Sequence, residues 1–283
     1  MTSARFIWAS SETSADLFYA CRFFAPDPFG WFEFQGKTYL LVNNLEFSRA
    51  KATARANFIS SIQEFSDPLR SNPSAPEWSQ LPAGVSLTHA AIILWLRQCN
   101  APRHLIVPHN FPLALARDLE KSGHRIKIPN GPFFPEREFK LQHEVEAIKR
   151  ACAIAAAGIW RALDILRQSN AGPARNLLWK NRPLTSEILR AEIDSAVLRA
   201  GGEPGKTIVS CGLQACDPHE RGSGPLHLSE LIIIDVFPRD PATGFYGDIT
   251  RTVVRGPASD AQRSLWQTCL DAQEMAIKQI TPG

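Results

Sequence analysis

The sequence predicts two domains of mixed helix and strand: an α/β domain over residues 1–135 and an α+β domain over residues 136–283. Three observations lead to this expectation. Short β-rich runs alternate with helical patterns in the first half. Residues 129–135, with three prolines and one glycine, have the composition of a linker. In the second half, amphipathic helices flank a group of runs rich in β-branched residues.

The first half contains an alternating series of elements. Residues 31–42 predict a hairpin that turns at Gly36. A helix is expected within residues 46–65, and the four prolines of residues 66–82 predict a loop. Helix, strand, helix and strand then follow at residues 87–98, 104–107, 111–122 and 125–128. This alternation is typical of a layered α/β domain.

The second half opens with a long helical pattern in which apolar side chains recur every three or four residues. The predicted apolar stripe consists of Leu141, Val145, Ile148, Cys152, Ala155, Ile159, Leu163 and Leu166. The helix should end before residues 170–173, where asparagine, glycine and proline cluster. A stripe of this kind is expected to cover a sheet.

Two further helices carry recognisable start signals. Thr185 is a predicted N-cap for a helix over residues 187–200. Ser259 and Gln262 fit a capping box at the start of the last helix. The expected buried face of that last helix consists of Leu265, Trp266, Cys269, Ala276 and Ile280.

Two aspartates near the end of the chain are the main candidates for chemistry. Asp235 follows an apolar run at residues 231–234, and Asp248 precedes a second run at residues 250–254. If the runs form an antiparallel hairpin with a long loop, both side chains lie at one end of the ladder. Adjacent carboxylates repel, so a cation or a proton must compensate them. Hard divalent cations favour such oxygen ligands.

The alternative is that both aspartates only bound strands and satisfy nearby backbone donors. His219 shifts the balance towards a functional site, because it lies just upstream, after an expected strand at residues 207–211. An isolated histidine is more often a surface residue than a catalyst. The three residues therefore carry the functional hypothesis together rather than singly.

The order of these residues, with Gly-Asp-Ile-Thr-Arg-Thr at residues 247–252, resembles the first half of the pita-bread metallopeptidase domain. The surrounding sequence is similar to the branch containing Xaa-Pro aminopeptidase and prolidase, and the similarity starts near Lys140. The resemblance implies a creatinase-like α/β domain followed by a pita-bread α+β domain. It also implies that Asp235 and Asp248 ligate two divalent metal ions and that His219 is catalytic. Manganese is the expected metal, with cobalt and zinc as alternatives.

The implied activity is hydrolysis of a peptide bond near the substrate's N-terminus by a dinuclear-metal hydroxide. The family also uses another histidine and two glutamates from a second half-repeat, and this sequence reaches Gly283 where that half would begin. We therefore expect a piece of a longer chain, with a genuine short protein as the alternative. A non-catalytic binding or oligomerisation relative is the competing functional hypothesis.

Composition limits the partners. The net charge is only +3, and no block of lysine or arginine forms a phosphate-binding stripe, so we expect a peptide substrate and no nucleic acid. The longest apolar run, near residues 90–96, is too short for a membrane span. The six cysteines lack metal-site spacing, and no signal-peptide pattern opens the chain, so a cytoplasmic location is expected. A homodimer is the oligomer that we consider.

Overall fold

The computed structural model describes residues 4–72, 78 and 80–282. It contains two compact units, Met1–Phe139 and Lys140–Gly283. The boundary predicted between residues 135 and 136 lies close to this division. The assignment of the two parts as separate domains stays a prediction. Within the described residues, no helix combines the length and apolar character needed to cross a bilayer.

The first unit contains a six-stranded sheet in the order β4-β3-β2-β1-β5-β6. Strands β1, β2 and β3 pair antiparallel, and the pairs β3-β4, β1-β5 and β5-β6 are parallel. The strands are β1 (Ala4–Ala9), β2 (Phe29–Phe34), β3 (Lys37–Val42), β4 (Phe58–Ser61), β5 (His104–Ile106) and β6 (Arg125–Lys127). The helices are α1 (Ala15–Cys21), α2 (Asn44–Thr53), α3 (Gln63–Ser71), α4 (Leu87–Gln98) and α5 (Leu113–Lys121).

Apolar cores lie on both faces of this sheet. Phe6 packs in a core with α4 and α5, whereas its neighbour Ile7 packs in a separate core with α1 and α2. Successive strand residues point to opposite faces, so a strand with two covered faces reads as a continuous apolar run. The predicted layered α/β architecture is confirmed.

The predicted hairpin is also confirmed, and it turns through Gln35 and Gly36. Both residues have positive φ, 51° and 72°, as a two-residue type I′ turn requires. The helix expected within residues 46–65 is confirmed as α2, which begins two residues earlier, and the rest of that range holds β4, which pairs in parallel with β3, and the start of α3. The expected loop at residues 66–82 begins later than predicted, since α3 continues to Ser71. Residues 73–77 and 79 of that loop lie outside the described residues.

The second unit contains two antiparallel three-stranded sheets, in the orders β10-β11-β12 and β7-β8-β9. Its strands are β7 (Asn170–Ala171), β8 (Leu177–Trp179), β9 (Arg182–Pro183), β10 (Ile208–Cys211), β11 (Leu231–Val236) and β12 (Ile249–Val254). Its helices are α6 (Gln142–Gln168), α7 (Ser186–Arg199) and α8 (Asp260–Gln279). The first of these sheets carries the candidate site.

The long helix α6 forms as predicted, but its buried stripe is shifted. Leu141 is 56% exposed, and the buried side includes residues that the predicted stripe left out. Those residues are mostly small: Ala147, Ala151, Ile154, Gly158, Ala162 and Ile165. A Cβ on Gly158 would lie 3.0 Å from Ile193 of α7 and 3.1 Å from Val236 of β11. Small residues are needed here because the helix approaches both elements closely.

The two predicted helix starts are confirmed. The Thr185 hydroxyl accepts a hydrogen bond from the Ile188 amide, and Ser259 and Gln262 form the capping box of α8. The predicted buried face of α8 is wrong: Leu265 is 58% exposed and Ile280 is 79% exposed. None of the residues of α8 is buried. An amphipathic pattern gives the apolar side of a helix, whereas burial also requires an element that covers it.

Candidate metal centre

Strand pairing brings the two predicted aspartates to the same end of the β11–β12 ladder. Asp235 lies opposite Thr250, and Asp248 comes immediately before β12. Asp235 follows the apolar run at residues 231–234, but it still lies inside β11. It pairs with Ile208 on one side and Thr250 on the other, and these two pairings extend the strand.

Asp235 lies on the face of the sheet that turns away from the helical core. Ile232, Ile234 and Val236 are buried in the core, whereas Leu231, Ile233 and Asp235 are only partly buried. This alternation follows from the two-residue period of a strand. A ligand can therefore reach the carboxylate of Asp235 without disturbing the core.

The two carboxylates interact electrostatically. Partial desolvation raises the pKa of Asp248 above its ordinary value, and the negative charge of Asp235 raises it further. Asp248 nevertheless remains an exposed residue. Thr250 donates a hydrogen bond of 2.7 Å from its hydroxyl to Oδ1 of Asp235, which orients that carboxylate. The pair is thus a partly fixed, mutually repelling set of oxygen ligands that is open to solvent.

This donor set fits a hard divalent cation, since Mn²⁺ and similar ions prefer carboxylate oxygens and relieve repulsion between them. Within the part of the chain that the structure describes, no three His, Cys, Asp or Glu side chains form a metal-binding group. The structure therefore brings Asp235 and Asp248 together as a pair, and His219 is not gathered with them into such a group.

His219 lies on an exposed segment that follows β10 and a short 3₁₀ helix, Gly212–Cys216. Its backbone amide donates a hydrogen bond of 3.1 Å to the side chain of Asp217. This contact forms a local turn around Pro218, which holds the backbone and leaves the imidazole at the surface. The catalytic role of His219 stays a prediction.

The loop between the aspartates contains a buried carboxylate that sequence reasoning missed. Asp240 is 0% exposed, and its Oδ2 lies 3.2 Å from Nε of Arg150 on α6. Its carboxylate also accepts hydrogen bonds from the Ala242 amide, at 3.0 Å, and the Thr243 hydroxyl, at 2.9 Å. The sequence Asp-Pro-Ala-Thr-Gly has the composition of a turn, but only the fold reveals that its aspartate is buried.

A second missed residue is Gly247, directly before Asp248. A Cβ at this position would lie 2.1 Å from the carbonyl oxygen of Ala151 and 2.8 Å from the amide nitrogen of Cys152. The backbone of the loop therefore lies directly against the backbone of α6. A glycine next to a candidate ligand is the sequence signal for such a close approach.

The second unit has a small antiparallel sheet with helices on one face and the paired carboxylates on the other, the arrangement expected for the first half of the pita-bread domain. Residues 146–283 match the profile of metallopeptidase family M24. This similarity extends over just under half of the 283 residues. The resemblance noted in the order of His219, Asp235 and Asp248 points to the same family.

Similar proteins are peptidases by name. The Xaa-Pro dipeptidase of Pyrococcus furiosus is 25% identical over 150 residues, which cover 52% of this chain and 38% of that protein. The Xaa-Pro dipeptidase of Pyrococcus horikoshii is 25% identical over 186 residues, which cover 64% of this chain and 48% of that protein. These sequence matches thus cover less than half the length of the relatives.

The solved structure of an X-Pro aminopeptidase from Thermotoga maritima MSB8 superposes with a TM-score of 0.75 at 18% identity. The match covers 100% of this chain and 71% of that chain. The prolidase of Pyrococcus horikoshii OT3 gives a TM-score of 0.73 at 18% identity and covers 100% of this chain and 69% of that chain. At this level of identity the likeness establishes the fold alone, and function has to be argued from the site.

Proposed function

We propose that this protein acts as a metal-dependent peptidase that hydrolyses a peptide bond near the N-terminus of its substrate, next to proline. The observation that carries the proposal is the pairing of β11 and β12, which brings Asp235 and Asp248 together in an M24 domain. The names of the relatives support proline-containing peptides as the substrate class.

In this proposal Asp235 and Asp248 hold two divalent metal ions, with manganese as the expected metal. When bound, the metal supplies Lewis-acid activation of water and of the scissile carbonyl. Thr250 holds the carboxylate of Asp235 in one orientation through its 2.7 Å hydrogen bond. Because two carboxylates alone are few ligands for such ions, we expect modest affinity unless further ligands join them.

His219 is proposed to donate a hydrogen bond to the peptide carbonyl as negative charge develops on its oxygen. Its exposed position is consistent with contact to a peptide that arrives from solvent.

The metal part of the proposal is tested by titrating the metal-free protein with Mn²⁺ in a calorimeter. We expect Asp235→Asn and Asp248→Asn each to weaken Mn²⁺ binding by at least about tenfold, because each removes an anionic ligand. Asp271→Asn on the exposed helix α8 is the matched control and should bind as the wild type does. Equal Mn²⁺ affinity in all four proteins would refute a metal role for the aspartate pair.

The catalytic part is tested with a dipeptide that ends in proline and a tripeptide with proline second, each with Mn²⁺ present. The assigned roles are supported if the wild type releases the first residue of either peptide. His219→Ala should lose this activity and still bind Mn²⁺. Mn²⁺ binding without cleavage of either peptide favours the competing hypothesis from the sequence, a non-catalytic relative of the same fold. The predicted cytoplasmic location and homodimer are left as predictions.

A further inference from the structure

The loop that separates the two candidate ligands is tied to helix α6 at two points. Arg150 forms an ion pair with Asp240 near the middle of the loop. Ala151, the next residue of the helix, contacts Gly247 at the end of the loop through its backbone. Asp248 is the residue that follows Gly247, so the second contact lies beside a candidate metal ligand.

The internal hydrogen bonds of the loop connect these two points. The Asp240 amide donates to the Phe245 carbonyl at 2.8 Å, and the Gly244 amide donates to the Asp240 carbonyl at 2.7 Å. The Gly247 amide donates to the Pro238 carbonyl at 3.0 Å. Asp240 therefore participates in the turn through its backbone as well as its side chain. A displacement of Asp240 would be transmitted along this ladder to Gly247.

Burial makes the Arg150–Asp240 pair more than a surface contact. Asp240 is completely buried, whereas the side chain of Arg150 is 56% exposed. A buried carboxylate is stable only when charge and hydrogen bonds compensate its lost hydration. Arg150, Ala242 and Thr243 supply that compensation here. Moving Asp240 away from α6 would remove part of this compensation and is therefore unfavourable.

We infer that Asp240, held by Arg150, is a positioning residue that fixes the loop so that Asp248 stays beside Asp235 before any metal arrives. The inference rests on the proposed function, because it assigns Asp240 a part in metal binding. Its physical basis is preorganisation: Asp248 lies just outside the paired strands, so repulsion from Asp235 can move its carboxylate away if the loop is free. Groups that support metal ligands from outside the ligand shell affect affinity for the same reason.

The test combines two measurements on the 283-residue protein: amide hydrogen exchange without metal and Mn²⁺ affinity by calorimetry. Asp240→Asn keeps the size of the side chain and removes its charge. We expect exchange of residues 247–250 to accelerate at least about tenfold and Mn²⁺ affinity to fall by about tenfold. Thr243→Val removes one hydrogen bond and should change both in the same direction by a smaller factor. This milder variant decides the question if Asp240→Asn does not fold.

Controls separate positioning from general destabilisation. Arg150→Lys retains the cation and should stay close to the wild type in both measurements. Glu192 forms another ion pair with α6, at 2.6 Å from Arg161. Glu192→Gln removes the negative charge of this pair and should change neither hydrogen exchange nor Mn²⁺ affinity. Unchanged exchange at residues 247–250 in the folded Asp240 and Thr243 variants would overturn the inference. If the wild type does not bind Mn²⁺, the proposed metal role fails, and the exchange data alone decide whether Asp240 fixes the loop.

Discussion

Gly247→Ala provides a sharp test of how the loop is packed. The added methyl carbon would lie 2.1 Å from the carbonyl oxygen of Ala151, 2.4 Å from its carbonyl carbon and 2.8 Å from the Cys152 amide nitrogen. Contacts below 3.0 Å are essentially never shown by real Cβ atoms. All three atoms belong to the backbone of a helix, so no side chain can rotate to make room.

The expected cost follows from this geometry. Overpacking a closely packed site costs typically ~1–3 kcal/mol. Because relief here requires moving either α6 or the loop, we expect a value near the upper end, about 3 kcal/mol. Displacement of the loop should also move Asp248 away from Asp235, so Mn²⁺ affinity should decrease together with stability.

Urea unfolding followed by hydrogen exchange measures the stability change, in the second unit for Gly247→Ala and in the first unit for the control. Gly131→Ala is the control for the methyl group itself, because a Cβ at Gly131 has no atom within 4 Å. That substitution is expected to be neutral or stabilising by up to ~1 kcal/mol. A free energy of unfolding for Gly247→Ala within about 0.5 kcal/mol of the wild type, a change typical of a surface substitution, would refute the close approach of the loop to α6.

Three other predictions follow from single contacts. Thr250→Val removes the hydrogen bond to Asp235 and should weaken Mn²⁺ binding several-fold in calorimetry. The control Thr268→Val, on α8, should leave Mn²⁺ affinity unchanged. Equal affinities of the two variants would exclude an orienting role for Thr250. Thr185→Ala removes the N-cap of α7 and should cost about 1 kcal/mol in urea unfolding, whereas Thr53→Ala, which removes no N-cap, should cost less. The hydrogen bond from His89 lowers the pKa of Asp118, so Asp118 stabilises the first unit above its unfolded pKa. That contribution is lost as pH falls through the folded pKa of Asp118. When the free energy of unfolding is measured against pH, Asp118→Asn should therefore lose less stability on acidification than the wild type. An equal loss in both proteins would contradict the role given to the His89–Asp118 contact.

The sequence alone determined the elements whose signals are local. The β-branched runs at residues 231–234 and 250–254 predicted the hairpin, and Thr185 and Ser259 predicted two helix starts. Gly36 predicted the turn of the first hairpin, because a type I′ turn requires positive φ. The juxtaposition of Asp235 and Asp248 also followed locally, since one hairpin holds both residues.

Only the tertiary structure decided which surfaces are buried and which distant residues meet. The buried stripe of α6 is shifted because the helix packs against both α7 and β11, which requires small residues at the contacts. Helix α8 has the pattern of a buried helix but no covering element among the described residues. Asp240 reads as an ordinary turn residue until Arg150, 90 positions earlier in the sequence, lies against it. Local periodicity and caps are properties of a short segment, whereas burial and charge compensation depend on what the rest of the chain brings to that segment.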